Sequence, residues 1–246
     1  MRRPPLHDEV WESLGSTDPD WAVLTDPHRR HGGWTEDLDA FYATGRADVA
    51  EVLASLPDDS FVRVLDWGSG TGRLTFALLE HAEEVTAVDI SRGMLATLTA
   101  RARDLHLDGR VDPVHVDDLR PAGDHDLALS LLVLQHLGSR AGIRAALERM
   151  VGCLHVGGLL VIEVPDLALT VRARVQPRFR VYQALRSLGF SPGTLSRHGL
   201  SGISMCCLSE DVVRHELGWL GVQTLSVSRR QDEGHRYARY VGRRVR

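Results

Sequence analysis

Val64–Leu74 reads VLDWGSGTGRL: an apolar run, then glycines at 68, 70 and 72, then a helix-like stretch. Three alternating glycines after a strand-like segment make a tight turn and leave the backbone open to a ligand, with no Cβ in the way. The next apolar run, VTAVDIS, closes on Asp89, on the order of 20 residues further along, where a carboxylate accepts hydrogen bonds from a ribose diol. Strand, glycine turn, helix and a second strand ending in an acid point to a parallel α/β unit with a nucleotide-type ligand at its strand ends.

Asp66 narrows the ligand. A dinucleotide fold sets a pyrophosphate on the amides of this turn, and a carboxylate one step before it repels a diphosphate. In a G-x-G-x-x-G reading the last position is held by Arg73, and a phosphate-cradling loop with G-K-[ST] is excluded because the chain contains no lysine. A ligand with a ribose, no phosphate and cationic groups fits better. S-adenosylmethionine is such a ligand, with Asp66 favouring its α-ammonium and Asp89 its ribose hydroxyls.

Five segments in register resemble motifs of the class I S-adenosylmethionine-dependent methyltransferases of small-molecule type. They are D-x-G-x-G-x-G at 66–72, the acidic strand end at Asp89, VHVDDL at 114–119, DLALSLLVLQHL at 126–137 and LHVGGLLVIEVP at 154–165. The resemblance covers residues 40–165, and from about 205 onward a helix and a hairpin continue it more weakly. His155-Val156-Gly157-Gly158 departs from it, standing where such enzymes often carry a proline before two glycines. The resemblance implies a Rossmann-like, mostly parallel seven-stranded sheet with helices on both faces and an antiparallel C-terminal hairpin. It further implies that the backbone of Gly68, Gly70 and Gly72 approaches the methionine part and the ribose, and that Ile90 packs on adenine. Asp117 would accept from the adenine amino group, the Asp118 amide would meet a ring nitrogen, and Arg46 would reach the cofactor carboxylate.

The periodicities fit that architecture. A helix is expected over Asp39–Leu56 with Phe41, Val49, Val52 and Leu53 on one face, ended by Pro57. Strands are expected at 61–66, 85–89, 111–116, 125–131 and 159–164, with helices over 72–81, from Ser91 to Asp104, and over 139–154. Their near-continuous apolar character argues a parallel sheet covered on both faces. Asp66, Asp89, Asp117 and Gln135–His136 then all fall at the carboxyl ends, where ligands bind. Ser209 caps a further helix, and 222–227 with 235–241 complete the sheet.

Two segments lie outside the pattern. Residues 1–40 carry Trp11, Trp21 and Trp34 without sustained periodicity, and either pack on the sheet edge or cover the cofactor as a lid. Residues 165–208 form an insertion on the acceptor side of a methyltransferase domain spanning 41–246. Its arginines 172, 174, 178, 180 and 186 either bind an anionic acceptor or form a solvated helix face.

Methyl transfer is an in-line displacement, so holding nucleophile, methyl and sulfur collinear supplies most of the catalysis. A base is needed where the acceptor must lose a proton. His136, directly after strand 4, is either that base or a packed histidine holding the loop; an unperturbed imidazole titrates near ~6.5, suiting a hydroxyl. Tyr42 and His198 are more distant candidates. An Asn/Asp-Pro-Pro-Tyr/Phe run of base-amine methylating enzymes, paired acids for a catechol-type magnesium site and the cysteine pattern of arsenic methylation are all missing. O-methylation of a sugar, glycoside or other specialised metabolite is the expectation. Enzymes of this fold that retain the cofactor for a cyclisation, and non-catalytic binding modules, remain as alternatives.

Composition limits the rest. The 246 residues are enough for one domain with additions. The formal net charge of −4 offers no basic surface for nucleic acid. Without lysine there is no Schiff-base chemistry. Cys153, Cys206 and Cys207 form neither a disulfide framework nor a zinc spacing, so no metal is expected. No signal-like stretch and no run of ~18 apolar residues is present, which leads to a cytoplasmic location as the expectation.

Overall fold

The computed structural model describes residues 5–57, 60–166, 177–191, 194–195, 198, 200, 206–232 and 235–246. Strands β1 (Phe61–Trp67), β2 (Ala82–Asp89), β3 (Val111–His115), β4 (His125–Ser130), β5 (Leu154–Pro165), β6 (Val222–Asp232) and β7 (His235–Arg244) form one sheet in the order β3-β2-β1-β4-β5-β7-β6. The first five run parallel, and β7 is antiparallel to both β5 and β6. This is the expected Rossmann-like sheet with its C-terminal hairpin.

Successive side chains of a strand face opposite sides, so an apolar run buries both faces. In β5, Leu160, Ile162 and Val164 point into one core with Ile143, Leu147 and Met150 of α6 (Arg140–Cys153) and Val213 and Leu217 of α8 (Glu210–Trp219). Leu159 and Val161 point into the other, with Val49 and Val52 of α3 (Leu38–Leu53), Leu78 of α4 (Thr75–Leu78) and Leu98 of α5 (Arg92–Asp104). Glu163 breaks the alternation as a fully buried carboxylate between Arg230 (2.8 Å) and Arg239 (3.1 Å). Among the described residues no helix is long and apolar enough to cross a membrane.

Several expected boundaries move. The helix expected over 72–81 shrinks to the single turn of α4, because Gly72 takes φ +96°, outside any right-handed helix. The stretch expected without periodicity holds two helices, α1 (Pro5–Thr17) and α2 (Pro19–Val23). Val10 and Leu14, one helical turn apart, pack with Ala22, with Met94 of α5, with Tyr182 of α7 (Pro177–Ser187) and with Leu195. This third apolar cluster stands apart from the two sheet cores. The helix α7 lies inside the 165–208 insertion, while Arg172 and Arg174 fall outside the described residues. Ser91 caps α5 by accepting from the Met94 amide at 3.2 Å, whereas the Ser209 side chain makes no cap bond.

α3 reaches the sheet through a close approach at Gly45, where a Cβ would lie 2.0 Å from the Arg73 carbonyl oxygen. Alanine would add about 1 kcal/mol of helix propensity at this position. Displacing the backbone of the glycine turn costs more, typically about 1–3 kcal/mol for overpacking. Gly45→Ala is therefore expected to be net destabilising, lowering the urea midpoint with an unchanged m-value.

Candidate active site

The glycine turn leaves β1 at Trp67, and the amides of Gly68 and Ser69 both donate to the Val88 carbonyl of β2, at 2.7 and 3.0 Å. Gly68, Gly70 and Gly72 all have positive φ, of +83°, +55° and +96°. A Cβ at Gly68 would stand 2.3 Å from Val133, at Gly70 2.3 Å from Val23 and at Gly72 2.6 Å from Phe76. The missing side chains thus make room for protein neighbours as well as for a reversed backbone.

Asp89 ends β2 beside this turn. Its Oδ2 accepts from the Gly70 amide at 2.9 Å and its Oδ1 from the Ser91 amide at 2.8 Å. Burial raises its pKa, while the amides of Ser91, Gly70 and Ile90 and the nearby His115 pull the other way. A carboxylate offers about four acceptor positions. The amides of Gly70 and Ser91, with that of Ile90 close by, leave acceptor capacity for a diol.

Asp66 is 1 % exposed and lies beneath the turn, accepting from the Thr75 hydroxyl at 2.6 Å. Burial, only partly offset by Thr75 and Arg73, pushes its pKa up to about 6. Within the turn the Ser69 hydroxyl is buried with no hydrogen-bond partner among the described residues.

At the end of β3 stands His115, which the sequence reading missed. A carbonyl only accepts, so the 3.0 Å contact with the Ile90 carbonyl places the proton on Nε2, and Nδ1 then accepts from the Asp117 amide at 3.3 Å. One neutral tautomer satisfies both bonds and fixes Ile90 against the 116–118 turn. The Asp117 side chain is 75 % exposed. The Asp118 amide, expected to face a ring nitrogen, donates to the His115 carbonyl at 2.8 Å, and its carboxylate turns to Arg92 at 3.5 Å. That amide is engaged in the turn. The signal was a histidine at the end of a strand, immediately before the acids.

Arg46 stands exposed on α3, its side chain without a hydrogen bond or ion pair among the described residues. The guanidinium brought to the turn is Arg73, 3 % exposed and held by Asp48 at 2.7 Å and Thr44 at 3.2 Å. Tyr42 packs edge-on against Phe76, with its hydroxyl buried near Arg101. His198 is an exposed turn residue.

After β4 the backbone turns through Leu132 at φ +61°, an uncommon conformation for a leucine and one that concentrates at functional sites. Gln135 and His136 follow in a short 3-10 turn. The Gln135 amide nitrogen lies 3.3 Å from Nε2 of the half-buried His136, and the indole of Trp11 packs on the imidazole at 5.3 Å. α1 thus touches His136 after β4, and Glu12 accepts from the Arg92 amide after β2 at 2.9 Å. Among the described residues no group of three His, Cys, Asp or Glu is placed to hold a metal.

Residues 64–158 match a family model described as "Methyltransferase domain". A search of curated proteins found no match. Among solved structures the chain is similar to magnesium protoporphyrin IX methyltransferase (ChlM) from Synechocystis PCC 6803 with bound SAH. The identity is 17 % and the TM-score 0.62, over 95 % of this chain and 97 % of that one. N-methyltransferase NodS from Bradyrhizobium japonicum WM9 is similar at 16 % identity and TM-score 0.59, over 97 % and 100 % of the two chains. The [4+2]-cyclase SpnF is similar at 18 % identity and TM-score 0.58, over 81 % of this chain and 80 % of that one. At these identities the structural likeness establishes the fold.

The raised pKa of Asp66 gives a signed prediction. A folded pKa of about 6 against 3.8 means that the folded state holds the proton more tightly, so its stability falls as pH rises from ~4 through ~6. Between pH 5 and pH 7 this one group should remove roughly 1 kcal/mol. Asp66→Asn should abolish that part of the pH dependence in denaturant unfolding at the two pH values.

Proposed function

We propose, from the premise that this chain is a class I S-adenosylmethionine-dependent methyltransferase, that it methylates a hydroxyl oxygen of a small molecule in the cytoplasm. A sugar, a glycoside or another specialised metabolite fits this reading, and an anionic one suits the arginines of the insertion. Residues 41–246 would be the catalytic domain, with 1–40 as a lid and 165–208 on the acceptor side. One juxtaposition carries the proposal: Asp89, fixed by the amides of Gly70 and Ser91, shares the carboxyl end of the sheet with His136 after β4.

When bound, S-adenosylmethionine supplies an electrophilic methyl group on a sulfonium. Asp89 would accept the ribose hydroxyls on the lone pairs left by its two amide donors. Asp66, beneath the turn, favours the α-ammonium through its field. Asp117 is exposed at the adenine end, and Ile90 is held for stacking by His115. A Gln135 amide that donates to Nε2 requires the His136 tautomer with its proton on Nδ1. An acceptor hydroxyl that replaces this long contact gives its proton to Nε2. Trp11, packed at a tilt against the same ring, would help to keep water from that transfer.

A second reading is favoured by the likeness to a [4+2]-cyclase: the donor site is kept and a different reaction is run beside it. Tight binding of S-adenosylhomocysteine with no methyl transferred to any acceptor in a broad metabolite screen would select that reading.

Calorimetric titration is expected to show S-adenosylhomocysteine binding to the wild type. Asp89→Ala should weaken it about 100-fold, since two ligand bonds go and two backbone amides lose their acceptor. Equal affinity would overturn the ribose assignment. Affinity for S-adenosylmethionine should be about tenfold weaker at pH 5 than at pH 7, because Asp66 must ionise to meet the ammonium. Once an acceptor is found, His136→Ala should lower kcat by about 100-fold or more at unchanged donor KM. Full activity across pH would remove His136 as base.

A further inference from the structure

Asp20 is fully buried although it stands on a five-residue helix outside the sheet. Arg101 of α5 donates to both of its oxygens, at 2.7 and 2.8 Å. The Thr35 hydroxyl donates to Oδ2 at 2.9 Å, and the Thr71 hydroxyl to Oδ1 at 2.8 Å. Burial alone would raise its pKa, but Arg101 and Thr71 hold the carboxyl below its ordinary value. The surrounding cap is internally braced: the Trp34 indole donates to the Leu24 carbonyl at 2.8 Å and the Trp21 indole to Asp26 at 2.9 Å.

Thr71 is the residue between Gly70 and Gly72. A turn with three positive-φ glycines has the least conformational preference of its own, because glycine visits both halves of φ space with similar ease. Its shape must be imposed from outside. Asp89 does so from the sheet side, through the Gly70 amide. One residue further on, Asp20 does so from the cap side through the Thr71 hydroxyl, while Val23 fills the space a Cβ of Gly70 would take.

We propose that Asp20 is a positioning residue of the donor site: it latches the N-terminal cap to α5 through Arg101 and fixes the glycine turn through Thr71, so cap docking and ordering of the turn are one coupled step. This rests on the reading that the donor lies against that turn.

Thr71→Val tests the link alone, since it removes one hydroxyl and leaves the Asp20–Arg101 pair intact. Asp20→Asn combined with Arg101→Gln tests the latch without leaving a buried charge unpaired. In the ligand-free protein, amide hydrogen exchange at 68–72 should be at least about tenfold faster in both variants. In the double variant, exchange over 10–37 should rise with it. S-adenosylhomocysteine should bind Thr71→Val about tenfold more weakly, as expected for losing a hydrogen bond to a charged group. Wild-type exchange at 68–72 in both variants would overturn the proposal even if the donor reading holds. Wild-type affinity in Thr71→Val, with the turn still loosened, would overturn its tie to the donor. Failure of the wild type to bind S-adenosylhomocysteine would instead remove the donor reading and leave the exchange result to decide the latch.

Discussion

The carboxylate of Asp89 is the tie on which this end of the molecule depends. One oxygen takes the amide of Gly70, from the turn after β1, and the other takes the amide of Ser91, at the start of α5. Two neighbouring strands and one helix are thereby given a common point. The geometry is useful because the acceptor lies at a strand end, where the backbone amides run out of sheet partners and need one. Removing the carboxylate would leave both amides without an acceptor in a nearly closed site. A ligand that accepts from or donates to this point meets a group already oriented by covalently distant parts of the chain.

Most of the sheet was legible in the sequence because a parallel strand buried on both faces is a contiguous apolar run, and its end is marked by the first carboxylate after it. Asp66 and Asp89 are such marks. The unread features share a different cause. Among the described residues of α1, Val10 and Leu14 are buried, with Trp11 half-buried beside them, and their partners Met94, Tyr182 and Leu195 come from scattered segments, so no clean stripe is visible in the sequence. Arg46 and Gly45 are neighbours about 100° apart around one helix, and the contact with the turn belongs to the residue without a side chain. A glycine inside a helix, which lowers stability by about 1 kcal/mol relative to alanine, was the available signal. The bond from the Asp118 amide to the His115 carbonyl was not legible, because a turn's internal hydrogen bonds depend on where the strand stops, one residue earlier than its apolar run suggests.

Buried carboxylates recur, and each is neutralised differently. Asp20 receives a bidentate guanidinium and two hydroxyls, and its pKa stays low. Asp66 receives one hydroxyl at close range and keeps an affinity for the proton. Glu163 takes two arginines from the C-terminal hairpin, one of which also reaches Glu51 on α3 at 3.0 Å. The hairpin thus supplies cations as well as strands, and breaking one side of such a buried pair usually costs about 3–5 kcal/mol. Of the three, Asp66 is the one left under-compensated, and it is the one beneath the glycine turn.

The third apolar cluster joins Val10, Leu14 and Ala22 to Tyr182 and Leu195, segments at opposite ends of the sequence. During synthesis the first group leaves the ribosome long before its partners exist. With roughly 170 residues intervening and chain growth of 5–20 residues per second, that interval is ~10–30 s. The sheet from β1 to β5 can form within it, but this cluster cannot. The glycine turn and Asp89 are therefore synthesised while the tryptophan-bearing segment is still without half of its packing surface. Completion of this cluster therefore waits for the insertion to be made, although Asp20, Thr71 and Arg101 are by then already available to one another.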